Sequence, residues 1–167
     1  MLNWRVADTQ PLQEEGVRFL CRHADKLGVP YNWSTIVHSL YAAMRDDGLL
    51  LAMDGAGNVR GAIACALGTG EDNYADRGRM EVHLLYLDEN VRSGREPVGA
   101  IAALVERELE WPRLLEAIGF YAAPEERLRN LFGKIADLDH TREHRCGPLD
   151  FYWTTTARLR AFVGCAK

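Results

Sequence analysis

Apolar residues recur along this chain with two spacings, every second position or every third and fourth, and each change of spacing marks an element. Residues 2–8 read as a short opening strand with Trp4 and Val6 on one face and Leu2 beside them. From Pro11 the spacing lengthens: Leu20, Ala24 and Leu27 follow a helix to about Lys26, and Gly28 is placed to stop it. A second helix is predicted over Asn32–Arg45, with Ile36, Leu40 and Met44 on one stripe and Val37 and Tyr41 beside it. Asp46-Asp47-Gly48 ends it. The apolar run 49–53, the turn Asp54-Gly55-Ala56-Gly57-Asn58 and the run 59–68 then form a β-hairpin.

Residues 68–78 are polar and glycine-rich with no apolar period, and read as a surface loop. A strand over 80–88 follows, then an Arg/Gly turn, then a helix from about Pro97 to Glu110 whose buried face is Val98, Ile101, Ala102, Val105 and Leu109. Residues 114–122 read as a central strand. Pro124 opens another helix with Leu128, Leu131, Phe132 and Ile135 pointing inward. Strands at 137–144 and 149–156 close the core, and the tail 157–167 is a short helix or an arm reaching a partner. The order β, α, α, β, β, β, α, β, α, β, β predicts an α/β chain built on a mixed sheet with helices on both faces.

With 167 residues the chain suits one domain, a core over 1–156 and the tail over 157–167. A net charge of −4 with scattered Lys and Arg argues against a nucleic-acid partner, which would show a basic stripe. No apolar run nears the roughly 18–20 residues of a membrane span, and the first ten residues lack a signal-peptide pattern, so a cytoplasmic protein is expected. The four cysteines form no CxxC pair and read as free thiols. His140, His144 and Cys146 form only part of a zinc pattern, with the distant Cys165 needed to complete it, and no metal is expected.

The chemistry concentrates in residues 79–111. An apolar strand enters a turn carrying Arg92, Ser93, Gly94 and Arg95, and the turn feeds a helix with one apolar face. Backbone N–H groups and guanidinium groups at a helix start suit the anionic tail of a cofactor, such as a phosphate. Glu96 and Pro97 work against it, one by its charge and the other by its missing donor.

The element order, residues 81–105 and the segment NLFGKIAD at 130–137 together resemble the GNAT superfamily of N-acetyltransferases. The resemblance implies a mostly antiparallel central sheet and acetyl-CoA as co-substrate, seated in a V-shaped opening beside the central strand. It assigns the pantetheine arm to the backbone of Leu85, Tyr86 and Leu87, and the diphosphate to Arg92, Ser93, Gly94 and Arg95. The sequence departs from the family pattern at Arg95 and Pro97, where small residues are usual. It departs again at Phe132, where a tyrosine often protonates the leaving thiolate, and at Ala136-Asp137 in place of Gly-Phe. Tyr121, Tyr152 or water is left to supply that proton.

Glu81 and His83 alternate with Leu85 along the strand and are the candidate general bases for an amine. Their structural alternative is a solvated glutamate and a hydrogen-bonded core imidazole. Tyr31, Trp33 and Tyr41 are candidate pocket walls or core aromatics, and Glu71, Asp72 and Asp76 an acidic lure for a cationic acceptor or a solvated loop. The expected function is acetyl transfer from acetyl-CoA to a small-molecule or peptide amine. The alternative is a catalytically degenerate scaffold with a structural or inhibitory role, phage-encoded proteins of this kind included, and a third is an unrelated α+β domain of the same element order. A homodimer or larger assembly is compatible with each.

Overall fold

The computed structural model describes residues 2–111 and 114–165. Among the described residues seven strands form one sheet in the order β1-β2-β3-β4-β5-β7-β6, with β1 at Asn3–Val6, β2 at Leu49–Met53, β3 at Val59–Leu67, β4 at Arg79–Leu87, β5 at Ala117–Ala122, β6 at Asp137–His144 and β7 at Gly147–Thr154. Only β4 and β5 run parallel; every other neighbouring pair is antiparallel. The expected mixed sheet with helices on both faces is what the chain forms.

The predicted hairpin is β2–β3. Its turn is fixed by Asp54, whose Oδ1 accepts the N–H groups of Ala56 and Asn58 at 3.0 and 2.9 Å while Oδ2 accepts Arg60 Nε at 2.9 Å. Helix α1 spans Gln10–Arg22 and is followed by a 3-10 turn at Ala24–Lys26, so the single predicted helix is broken near His23. Helix α2 spans Trp33–Arg45 and starts as the sequence suggests, Asn32 Oδ1 accepting the Thr35 N–H at 2.9 Å.

Both helices cover one sheet face. Leu20, Ile36 and Leu40 meet Leu49, Leu51, Leu84 and Tyr86 there. Removing a side chain as enclosed as Leu20 would cost about 2–5 kcal/mol. The other face carries α3, Glu96–Glu110, and α5, Thr156–Cys165, packed over Leu50, Ile63, Met80 and Ile118.

The tail is therefore a helix docked on α3 through Leu159 rather than an arm. That docking also corrects the phase expected for α3. Ala100, Leu104 and Glu108 are buried and Leu109 is 56% exposed. Glu108 is buried on the stripe because Thr156 Oγ1 donates to its carboxylate.

Helix α4 is short, Glu126–Phe132, and starts two residues beyond Pro124. Its Leu131 faces solvent instead of the core. Burial of Phe132 against Phe120 and Tyr152, together with Arg129 paired to Asp150 at 2.6 Å, holds this helix on β7. Among the described residues no helix is long and apolar enough to cross a membrane.

Candidate active site

Strand β4 changes face partway along. Cys65 of β3 pairs with Val82 and Ala64 pairs with Leu84, leaving His83 as an extra residue in a β-bulge. Before the bulge Met80 and Val82 pack on the α3 side; after it Leu84 and Tyr86 pack on the α1–α2 side. Glu81 lies opposite Ala66, on the α1–α2 side, whereas Leu85 lies opposite Ile63, on the α3 side. The sequence reading that put Glu81, His83 and Leu85 on one side fails for Leu85, because simple alternation does not survive the inserted residue.

The bulge coincides with a parting of strands. Pairing of β4 with β5 runs from Arg79–Ala117 to Val82–Phe120 and stops, although β4 continues to Leu87 and β5 to Ala122. The ends of the two strands are unpaired with each other where the opening is expected, and Leu85, Tyr86 and Leu87 lie on that stretch of β4. Backbone donors and acceptors on such an edge are left to a ligand or to water.

Glu81 and His83 meet where the strands part. Glu81 is 2% exposed and His83 is 8% exposed. Glu81 Oε2 accepts the Gly70 N–H at 2.7 Å, and Glu81 Oε1 lies 3.4 Å from His83 Nδ1. The other imidazole nitrogen, Nε2, is 3.2 Å from the Tyr74 hydroxyl. A buried carboxylate needs such partners, since an uncompensated charge there would cost several kcal/mol.

Tyr74 was not singled out from the sequence because it lies in the aperiodic 68–78 loop. Asn73 and Tyr74 both adopt left-handed backbone, φ 54° and 61°, which is uncommon for residues with a Cβ. Gly68 allows the fold-back: at φ 80° it approaches Tyr74 so closely that a Cβ would sit 2.5 Å from the Tyr74 Cα. The ring then packs beside His38 of α2 and under the Arg45 guanidinium, 5.6 Å from its centroid. Burial, and secondarily the Glu81 charge, push the Tyr74 phenol up to about 12.

Further aromatics lie near Glu81, whose charge acts on the Tyr31 and Tyr121 phenols. Tyr31 precedes α2; burial first, then the nearby Glu81 carboxylate, drive its phenol far above the ordinary range. Tyr31 and Tyr121 flank His144 at 5.5 and 6.0 Å between ring centroids. His144 Nδ1 is 3.4 Å from Cys146 Sγ.

Tyr31 thus lies close to Glu81, whereas Trp33 and Tyr41 are 58% and 63% exposed on α2 and are not core aromatics. Glu71 is committed to structure: its Oε1 accepts from Tyr121 Oη at 2.6 Å, His140 Nε2 at 3.0 Å and Arg142 at 3.1 Å. Asp72 closes a capping box with Thr69, and Asp76 pairs with Arg79. None of the three acidic loop residues presents an idle carboxylate to an acceptor. Among the described residues no three His, Cys, Asp or Glu side chains converge as a metal site.

Across the sheet, the turn after β4 is held by Asp88, whose carbonyl accepts the N–H groups of Val91 and Arg92. Arg92 is folded back: its Nε donates to the Leu87 carbonyl at 3.2 Å and its guanidinium lies 5.1 Å from the Tyr86 ring centroid. Ser93, Gly94 and Arg95 are exposed, Gly94 at φ 69° with open space on its Cβ side. Arg95 is the N-cap of α3 and makes no side-chain cap.

Glu96, expected to oppose an anion, turns its Oε2 toward the Leu2 N–H of the β1 end at 3.3 Å. Pro97 occupies the second helical position, where its missing N–H costs the helix no hydrogen bond. Of the residues assigned to a diphosphate, the structure thus brings Ser93, Gly94 and Arg95 together at a helix start and ties Arg92 to the strand.

No family model matches the chain, and no curated protein sequence does. Solved structures do resemble it. A chain of the NatC complex bound to Gag peptide and CoA aligns over 92% of this chain and 98% of its own length, at 14% identity and a TM-score of 0.65. Drosophila melanogaster polyamine N-acetyltransferase, which catalyses formation of N-acetylagmatine, aligns over 93% and 100%, at 11% identity and a TM-score of 0.65. A GNAT-family acetyltransferase of Staphylococcus aureus Mu50 aligns over 93% and 99%, at 11% identity and a TM-score of 0.61. With its parted parallel pair, its bulged central strand and these neighbours, the chain has the fold of the GNAT acetyltransferases.

Proposed function

We propose that the protein is an acetyl-CoA-dependent N-acyltransferase acting directly on an amine, either a small molecule or a peptide. The observation that carries this reading is the parting of β4 from β5 after Val82–Phe120, with Glu81 and His83 buried at the point of divergence. The residues present suit the co-substrate. Gly94 and Arg95 lie exposed at an uncapped helix start, and Glu96 is turned to the β1 end. Ser93, Gly94 and Arg95 would hold the diphosphate, with Arg92 at its margin, and the β4 edge at Leu85–Leu87 would hold the pantetheine arm. Acetyl-CoA supplies an activated acyl group when bound.

The chain's own task is to place an amine and take its proton. Tyr31, Tyr74 and Tyr121 all lie within reach of the Glu81 charge and would offer aromatic rings to an ammonium group approaching that carboxylate. Glu81 and His83 are the proton acceptors. The peptide and polyamine chemistry of the structural neighbours supports an amine acceptor of either kind.

Two observations favour a second reading, a scaffold that has lost catalysis. Phe132 has no proton to give, and Arg92 is engaged by Leu87 and Tyr86. Isothermal titration with acetyl-CoA separates the two readings. Saturable binding at micromolar to low millimolar concentration, with acetyl transfer to agmatine, spermidine or a free tetrapeptide, supports the enzyme. Absence of binding at millimolar acetyl-CoA leaves the scaffold.

A further inference from the structure

Glu81, His83 and Tyr74 lie in a row, Glu81 Oε1 3.4 Å from His83 Nδ1 and the Tyr74 hydroxyl hydrogen-bonded to Nε2 at 3.2 Å, and the three differ in access. Glu81 and His83 are buried, and only Tyr74 is half-buried, at the end that reaches the loop surface. Glu81 Oε2 already accepts from Gly70, and its Oε1 faces Nδ1 of His83. An ionised Glu81 is best served by a proton on Nδ1, which leaves Nε2 as an acceptor for the Tyr74 O–H. The ring of Tyr74 is fixed from outside by His38 and Arg45, and its backbone by the Gly68 approach. This is a built arrangement, aimed at His83 and maintained in uncommon backbone geometry.

Resting on the N-acyltransferase reading, we propose that Tyr74 is the catalytic residue that receives the amine's proton and relays it to His83. The neutral amine forms a nitrogen–carbon bond to the acyl carbon as the carbon–sulfur bond breaks, and the electron pair leaves with the thiolate. The nitrogen gives one proton to Tyr74 Oη while the phenolic proton passes to His83 Nε2. The imidazolium so formed is paired with Glu81 through Nδ1–H, and the thiolate takes a proton from water. With its phenol held near 12, Tyr74 keeps its proton at neutral pH and can donate to Nε2 before it accepts.

The test combines kinetics with imidazole nitrogen NMR. In the wild-type protein the His83 15N shifts should report a proton on Nδ1; a proton on Nε2 would overturn the relay whatever the variants do. Tyr74→Phe keeps the ring and removes the hydroxyl. It should lower kcat roughly 100-fold, leave the KM for acetyl-CoA within twofold, and shift the His83 tautomer signals. A kcat within about twofold of wild type in the folded variant would also overturn the proposal. If the wild type binds acetyl-CoA yet acetylates none of agmatine, spermidine and a free tetrapeptide, the N-acyltransferase reading falls and this proposal with it. Wild-type transfer with an unaffected Tyr74→Phe variant sinks the relay alone.

Discussion

On the α2 side of β4 the polar groups of the site are held from several directions. Glu81 has Gly70 and His83, His83 has Tyr74, and the loop bearing Tyr74 is tied to α2 through Asp46 and Arg77. Across the sheet, Ser93, Gly94 and Arg95 stand exposed at a helix start with no side-chain cap. The first region is organised before any ligand arrives, as a group that must move a proton over a fixed distance requires. The second leaves backbone donors and a guanidinium to be satisfied by an anion. The contrast separates chemistry from co-substrate capture, and each half can be damaged without the other.

The largest expected effect comes from Glu81→Gln, which keeps the shape and removes the carboxylate that would pair with the His83 imidazolium. Its kcat should fall about 100- to 10,000-fold with acetyl-CoA affinity unchanged by titration; a parallel loss of affinity would erase the separation drawn above.

Next is Asp46→Asn, which loosens the loop under Tyr74. Burial raises the Asp46 carboxyl, but hydrogen bonds from Arg45, Arg77 and the Leu67 N–H outweigh it and hold the group below the usual carboxylate range. A depressed folded value means the carboxylate stabilises the protein above its unfolded pKa, near 4, and that this stabilisation disappears as pH falls through the folded value. The variant should lose about 1.5–3 kcal/mol at neutral pH and show a shallower drop in urea midpoint below about pH 4 than the wild type.

The smallest effect is reserved for the open side. Arg95→Ala should weaken acetyl-CoA binding about tenfold, one charge-assisted contact at the low end of its range, with kcat nearly unchanged. Arg92→Ala should weaken it less, because that guanidinium is already spent on Leu87 and Tyr86. Equal losses for the two arginines would show that the loop rearranges around its ligand.

Local chemistry made much of this legible. Asp54 and Asn58 announce the β2–β3 turn, Asn32 announces the start of α2, and Glu81 and His83 stand out as polar residues in an apolar strand. What escaped the sequence depends on contacts between distant segments. The side on which Leu85 lies is decided by pairing with Ile63 across the bulge. The burial of Glu108 and exposure of Leu109 follow from Thr156, 48 positions beyond Glu108. Glu71 resembles a solvated loop acid until Tyr121, His140 and Arg142 are brought to it. Tyr74 is a mid-loop aromatic with no periodic neighbours, and only the fold-back over Gly68 gives it a target.

The extra residue at position 83 gives β4 a reading frame. Upstream, even-numbered side chains serve the layer beneath α3; downstream, they serve the layer beneath α1 and α2. Deleting His83 would restore regular pairing of Val82 with Cys65 and Leu84 with Ala64, keep Met80, Val82, Leu84 and Tyr86 in their layers, and remove only the imidazole between Glu81 and Tyr74. The bulge thus serves the site and not the core: the layers would form without it, but the imidazole would have no place in the strand.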